Sequence, residues 1–506
     1  MANEQLPSAV APVAMTLAAI AASAAAPRPS GETLAEHSNR VFLGIHEQLA
    51  DASLATGNHW NLQWVALSPD NANMAYLANT IGGSNEFAVV IRGTVGNETD
   101  LLEDLGVGTV VPFTAGDSPP NPVWVAKGAM EAFTQVIIMN SVGVTLVQAL
   151  TRALAKAPPN PTVRVIGHSL GGCIATMIGP YLQAQTWPNP PQFAMHTFAA
   201  PTAGGADFVS YVESLPWVAN ERYYNAYDLV PQAWTNLDDA KSWYPGPGPE
   251  ATNDVKAVIS TIAGLPGPNV YAQPGDSCEL NTGYGTTPGS YDPNLTRKSL
   301  QDFMGQVAYQ HANSTYLNLL GAPDVLSGPV VTSISPNAGP PGTTVTITGT
   351  GLGTGIDTGV DFGTLPCPRF GVTNNGTRIT AYLPQGIGAG VVAVRVTTNL
   401  GTSPAVPSCR FAYGGPEPVV VTGINPNTGP KNRSVTITGE NFASDAKVWF
   451  GNNAAEITQL TPPNHITATA PPPDIGPTDP LTVNVTVFSN GYTSPATPAD
   501  EFGYKL

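Results

Sequence analysis

Residues 162–185 read TVRVIGHSLGGCIATMIGPYLQAQ. Thr162 to Ile166 is a short apolar, β-branched run and reads as a buried strand. From Leu170 onward the apolar residues return at helical spacing. Between them stands Gly167-His168-Ser169-Leu170-Gly171, a G-x-S-x-G at a strand–turn–helix corner. A nucleophile at such a corner needs small neighbours, because the backbone bends sharply and the helix packs close to the strand. Gly167 and Gly171 leave that room. The start of the helix also directs backbone N–H groups and the positive end of the helix dipole toward the serine oxygen. The competing reading is a glycine-rich turn that happens to hold a serine. The strand before it and the helix behind it favour a nucleophile.

A serine at its ordinary pKa is a weak nucleophile and needs a base held by an acid. In a sheet of this kind the chain order is serine, then Asp or Glu, then histidine. Histidines stand at 37, 46, 59, 168, 196, 311 and 465. Only His311 and His465 lie well downstream of an acid, and His465 falls in a loop-like stretch of a later, different region. His311 is therefore the candidate base. His168 adjoins the serine, but neighbours at a sharp bend diverge, so it reads as a packing residue. Asp228 ends an apolar strand in ERYYNAYDLVPQAW and is the candidate acid; Asp238 and Asp239 are the rivals in a polar loop. Sites in such sheets lie at the carboxyl ends of strands. Two donors are needed for the oxyanion. The N–H of Leu170 is one, and Thr94, at the turn after EFAVVIRGT (86–94), is the other.

Working outward, strand and helix patterns alternate from 31 to about 325. GETLAEHSNRVFLGIHEQLADAS (31–53) has helical spacing, and GAMEAFTQVIIMNSVGVTLVQALTRALAKA (128–157) reads as one long helix. This alternation predicts an α/β domain with a mostly parallel sheet. Beyond 325 the helical pattern stops. ISPNAGP (334–340) returns as INPNTGP (424–430), and TVTITG (344–349) as SVTITG (434–439). VDFG (360–363) likewise matches VWFG (448–451). A repeat of about 90 residues made of short alternating strands fits an immunoglobulin-sized sandwich. The predicted layout is an N-terminal segment 1–30, an α/β-hydrolase domain 31–327, and two all-β immunoglobulin-like sandwiches at 328–415 and 416–506.

The formal net charge of −16 disfavours nucleic acid and anionic membranes as partners, since both require clustered Lys and Arg. Four cysteines are too few for a disulfide scaffold; Cys367 and Cys409 share one strand-rich stretch and form a candidate pair. Residues 8–26 (SAVAPVAMTLAAIAASAAA) are apolar and small like an export signal, but no Lys or Arg precedes them. A flexible or loosely helical arm and an atypical export signal are both open readings. No His pair or C-x-x-C has metal-ligand spacing and no phosphate-cradling loop is present, so neither a metal nor another cofactor is expected.

The α/β region resembles the class 3, fungal-type triacylglycerol lipases. The likeness rests on VVIRGT (89–94), VIGHSLGG (165–172), TFAAPTAG (197–204), YNAYDLVP (224–231) and His311 followed by Tyr316, in that order. It implies Ser169 as nucleophile, Asp228 and His311 as partners, and Thr94 with Leu170 at the oxyanion hole. Ala200 departs from the family, which usually has glycine there. The Pro/Gly-rich stretch 245–293 looks like an insertion. The family carries a lid after the RGT strand. Here VGNETDLLEDLGVG (95–108) sets Leu101, Leu102 and Leu105 against Asp100, Glu103 and Asp104, a segment suited to opening at a neutral lipid surface. The repeats resemble IPT/TIG domains, which commonly serve as spacers or binding modules in extracellular proteins. The expectation is a secreted or cell-surface serine ester hydrolase, a lipase acting on acylglycerols. The alternatives are a short-chain esterase, a phospholipase, a polyester hydrolase, or a surface-binding protein whose sandwiches grip polysaccharide, polymer or protein.

Overall fold

The computed structural model describes residues 6–23, 32–82, 85–93, 106–113, 122–246, 248–281, 283–284, 290–355, 358–373, 375–385, 390–413, 419–451, 453–473, 482–489 and 492–505. These fall into two compact units that meet in sequence at Ser327–Gly328.

The first unit is built on seven strands, β1 (Trp60–Leu67), β2 (Met74–Thr80), β3 (Glu86–Ile91), β4 (Thr162–His168), β5 (Gln192–Phe198), β6 (Trp217–Asn225) and β7 (Asp276–Leu280). They lie in sequence order across the sheet. The first three are antiparallel, and β3 to β7 are parallel. Parallel strands need crossovers and covering on both faces. Alternation along each strand supplies two apolar faces: Val89 and Ile91 enter one core, Ala88 and Val90 the other. The first core is covered by α3 (Lys127–Ile138), α4 (Leu146–Leu154) and α5 (Leu170–Gln183); the second by α1 (Ala11–Ser23), α2 (Leu34–Leu49) and α9 (Asn313–Leu319). Three more elements complete the unit: α6 (Ala206–Ser214), α7 (Asn253–Gly264) and α8 (Leu300–His311). Side-chain caps fix several helix starts. Thr33 with Glu36, and Thr145 with Gln148, form capping boxes.

Two local expectations change. Residues 128–157 form two helices, not one. Asn140–Ser141 pairs with Val144–Thr145 around a turn in which Val142 and Gly143 both have positive φ (50° and 75°). The Asn140 side chain accepts from the Gly143 N–H, and Thr145 then caps α4. The Pro/Gly-rich stretch 245–293, read as an insertion, contributes α7 and the sheet-edge strand β7.

The second change concerns the N-terminus. Residues 11–23 are helical, as one reading allowed, but they form a packed helix, α1, and not a loose arm. Leu17 and Ile20 are wholly buried, as are Met15 and Ala14. A helix that is apolar all round belongs in a core, not on a surface. Its polar groups are satisfied: Thr16 donates to the Pro12 carbonyl, and the Leu17 carbonyl accepts from the Tyr76 hydroxyl at 2.8 Å. Ser8 ties the helix entry to Glu221 at 2.9 Å. Glu221 belongs to a row of charges crossing the sheet. Glu86 pairs with Arg164 at 2.5 Å, Arg164 meets His196 Nε2 at 3.1 Å, and His196 Nδ1 lies 3.0 Å from Glu221.

The second unit holds two sandwiches of the repeated sequence. In the first, Val330–Ser335, Thr344–Thr350, Arg378–Tyr382 and Phe370–Thr373 form one sheet. Arg410–Tyr413, Gly390–Thr398 and Gly359–Phe362 lie at the centre of the other. The second repeat forms the same pairings, Val420–Asn425 with Ser434–Glu440 and Lys447–Phe450 with Thr482–Ser489. Each has its own core, built on Val345, Ile347 and Phe362 in one and Val435, Ile437 and Phe450 in the other. Cys367 and Cys409 are buried free thiols, not a bonded pair. The Cys367 thiol donates to the Tyr382 carbonyl at 3.1 Å, and that of Cys409 to the Val406 carbonyl at 2.9 Å.

Candidate active site

Strand β4 runs into the bend at Ser169, whose φ of 60° and ψ of −134° lie where L-residues seldom sit. Such a conformation costs on the order of 1–3 kcal/mol and persists only where the surroundings enforce it. They do so by close approach. A Cβ on Gly167 would lie 2.2 Å from the Gly171 carbonyl, and one on Gly171 would lie 2.2 Å from the Ile91 oxygen. The bend is pinned by the Ser169 N–H, which donates to the Phe198 carbonyl at 2.9 Å. The Ser169 carbonyl then accepts from Gly172 and Cys173, starting α5. Leu170 is the first residue of that helix and is half-buried.

Asp228 follows the end of β6 and is wholly buried. A buried carboxylate must be matched by donors. Val230 N–H donates to Oδ1 at 3.0 Å, and the Tyr316 hydroxyl donates to Oδ2 at 2.8 Å. His311 Nδ1 lies 2.8 Å from Oδ2. A carboxylate only accepts, so Nδ1 carries the proton, and Nε2 presents its lone pair. Nε2 is 2.8 Å from Ser169 Oγ, and the serine O–H donates to it. Ser169, His311 and Asp228, which sequence spacing could only nominate, thus form one continuous hydrogen-bonded chain. The rivals Asp238 and Asp239 lie exposed on a 3₁₀ turn, Leu237–Ser242, and Asp238 pairs with Lys241. His465 is exposed in the second sandwich.

His311 closes α8, and its support is polar and buried. Asn225 donates through its side chain to the Gln310 carbonyl at 3.0 Å and to Gln310 Oε1 at 2.6 Å. Gln310 donates to the Ser290 carbonyl at 2.7 Å. The Asn225 N–H donates to the Tyr316 hydroxyl at 2.9 Å, so Tyr316 relays a bond to Asp228. Burial, and then the Asp228 charge, push the Tyr316 phenol well above its ordinary pKa, which keeps it a donor. Sequence reasoning missed Asn225, Gln310 and Ser290; only the position of Asn225 in YNAYDLVP hinted at any of them.

On the strand side, Arg92 is 2% exposed and donates to Asn71 Oδ1 at 3.2 Å and to the Asn71 carbonyl. Burial brings its pKa down to about 10. Its neighbour Gly93 faces the elbow: a Cβ there would lie 2.8 Å from the His168 oxygen. Thr94 and the lid leucines Leu101, Leu102 and Leu105 lie outside the described residues. Among the described residues no cluster of three or more His, Cys, Asp or Glu side chains has the arrangement to hold a metal ion. No helix among them is long and apolar enough to cross a membrane.

A serine on a strand–helix elbow, served by a buried Asp–His pair in a mostly parallel sheet, defines an α/β-hydrolase of the ester-cleaving type. Residues 88–237 match the class 3 lipase family model, and 329–413 and 418–499 each match that of the IPT/TIG domain. Among solved structures the chain is similar to M37 lipase, with 19% identity over 61% of this chain and 92% of that one, at a TM-score of 0.49. It is also similar to a triacylglycerol lipase from Penicillium expansum (16% identity, 46% and 75% of the two chains, TM-score 0.33). A third is Lip2 lipase from Yarrowia lipolytica (20% identity, 46% and 76%, TM-score 0.34). No curated protein sequence matches the chain.

Proposed function

We propose that the protein hydrolyses the carboxylic esters of lipids, acylglycerols above all, through an acyl-enzyme on Ser169. Ser169 Oγ attacks the ester carbonyl as His311 Nε2 takes its proton. Asp228 holds the imidazole in the required tautomer and stabilises its positive charge. The N–H of Leu170 and the main chain or hydroxyl of Thr94 receive the oxyanion. His311 returns the proton to the departing alcohol, and the same base then activates water to release the acid. These steps draw only on side chains, backbone and water. The observation that carries the reading is the 2.8 Å contact of His311 Nε2 with Ser169 Oγ, backed by its 2.8 Å contact with Asp228. Replacing Ser169 with Ala tests it: turnover of a p-nitrophenyl ester should fall to background, and persistent turnover would refute the assignment.

The lipid preference is supported by the surroundings of the serine. Leu229, Val230, Leu237, Val255, Ile259 and Phe303 form an apolar cluster beside it. Leu170 and Trp234 pack on both this cluster and the core beneath α5. We assign this seam as the wall met by the acyl chain. The lid over 95–108 is assigned from its sequence pattern alone. Rates on triglycerides of rising chain length, in solution and in emulsion, separate the readings. A preference for short soluble esters with no rise at the interface favours an esterase. For the sandwiches we propose contact with a polysaccharide, polymer or protein surface. Deleting 328–506 should then reduce activity on insoluble substrate and spare that on soluble ester. We place the protein outside the cell or at its surface on the strength of these domains, and its presence in cell supernatant or surface washes is the check.

A further inference from the structure

His168 touches more of the site than its place beside the nucleophile requires. It is the last residue of β4 and 5% exposed. Its ring centroid lies 4.9 Å from that of His311, tilted by 42°, and 5.3 Å from that of Tyr316, edge to face at 81°. It thus packs against the side chain that closes α8. Burial, followed by the nearby His311, holds the His168 pKa well below its ordinary value, so the ring is neutral. Its Nε2 is buried and finds no hydrogen-bond partner among the described residues.

One side chain therefore braces both the His311 ring and Tyr316, which donates to Asp228. It is also bonded in sequence to Ser169. We propose that His168 is a positioning residue for the catalytic imidazole, fixing the His311 ring at bonding distance from Ser169 by its ring contacts with His311 and Tyr316. A neutral neighbour suits this place, because His311 must become positively charged during turnover and a second cation would oppose it. The inference rests on the triad reading above.

Three substitutions test the ring contacts. H168F keeps a ring of different shape, H168N keeps a polar side chain and loses the ring, and H168A loses both. Each variant is assayed on soluble p-nitrophenyl butyrate. Active sites are counted by the p-nitrophenol released when a p-nitrophenyl alkylphosphonate reacts to completion. Misplacing a reacting group costs about ten- to a hundredfold in rate, so kcat per titrated site of H168A should fall by that much with KM unchanged. H168F and H168N should fall between H168A and the wild type. A folded H168A with kcat per site within about threefold of wild type overturns the proposal, even if its Tm drops, because that outcome marks a purely structural role. If H168A does not fold, the other two decide. A loss beyond about threefold in either at unchanged KM upholds the proposal, and wild-type kcat in both overturns it. Activity surviving in S169A instead overturns the triad reading itself, so the two failures are distinguishable.

Discussion

The hydroxyl of Tyr316 donates to Oδ2 of Asp228 at 2.8 Å while accepting the Asn225 N–H at 2.9 Å. The acid that orients His311 is thus itself oriented from α9, 88 positions further along the chain. A hydrogen bond to a charged group is worth about 1.5–3 kcal/mol, and its loss also leaves a buried donor unpaired. Tyr316→Phe should lower kcat about ten- to a hundredfold with little change in KM, measured on a soluble p-nitrophenyl ester. An unchanged kcat would remove Tyr316 from the positioning of Asp228.

Trp234 sits with Leu170 at the seam between two apolar clusters, and its Nε1 is buried without a partner among the described residues. Trp234→Ala should widen the wall of the acyl site. The ratio of kcat/KM for decanoate over butyrate esters should move about tenfold in favour of the longer chain, since a few methylenes in an apolar pocket are worth 1–3 kcal/mol each at most. A chain-length series reads this directly, and an unaltered profile would place the acyl wall elsewhere.

Acid should weaken the first unit through its buried histidines. Burial is the leading cause that lowers the pKa of both His168 and His196. Once unfolded, each binds a proton near pH ~6.5. As pH falls below about 6.5 the unfolded state gains protons that the folded state refuses, so stability declines by up to about 1.4 kcal/mol per pH unit for each group. Glu221 adds to this at lower pH. The hydrogen bond from His196 is the chief reason its pKa falls to about 2, so its contribution is present above about 4.3 and is lost as pH drops toward 2. Thermal melts should show a plateau above pH ~7 and a steady fall in Tm below pH ~6.5. A flat profile down to pH ~5 would show that neither histidine is buried neutral.

Residues 11–23 should behave as core. Leu17 is wholly buried, and truncating such a side chain costs about 2–5 kcal/mol. Leu17→Ala should lower the urea midpoint accordingly, and a chain lacking residues 6–23 should fail to fold. Mass spectrometry of the mature protein should find α1 retained. Recovery of a stable, active chain beginning after Ser23 would restore the export-signal reading for this segment.

What the sequence made legible was local chemistry. The elbow announces itself because strand, glycines, serine and helix are contiguous, and the chain order of Asp228 and His311 narrows the rest. Composition left α1 open, since small apolar residues suit an export signal and a buried helix equally. The break at Val142–Gly143 was masked by helical spacing on both sides of it. The partners of His311 were beyond reach for another reason. Asn225 and Gln310 are 85 positions apart, and nothing in either local pattern specifies the other. The free thiols of Cys367 and Cys409 reflect the same limit, because two cysteines in one sandwich share a core without their sulfurs having to meet.

Covalent labelling reads the pairing of Ser169 with His311 at the serine oxygen itself. The native protein is treated with a p-nitrophenyl alkylphosphonate, digested, and the modified peptide located by mass spectrometry. The account predicts one adduct per chain, on Ser169, forming rapidly in the wild type and falling to background in His311→Ala. An adduct on another residue, or undiminished labelling of Ser169 without the imidazole, would contradict it.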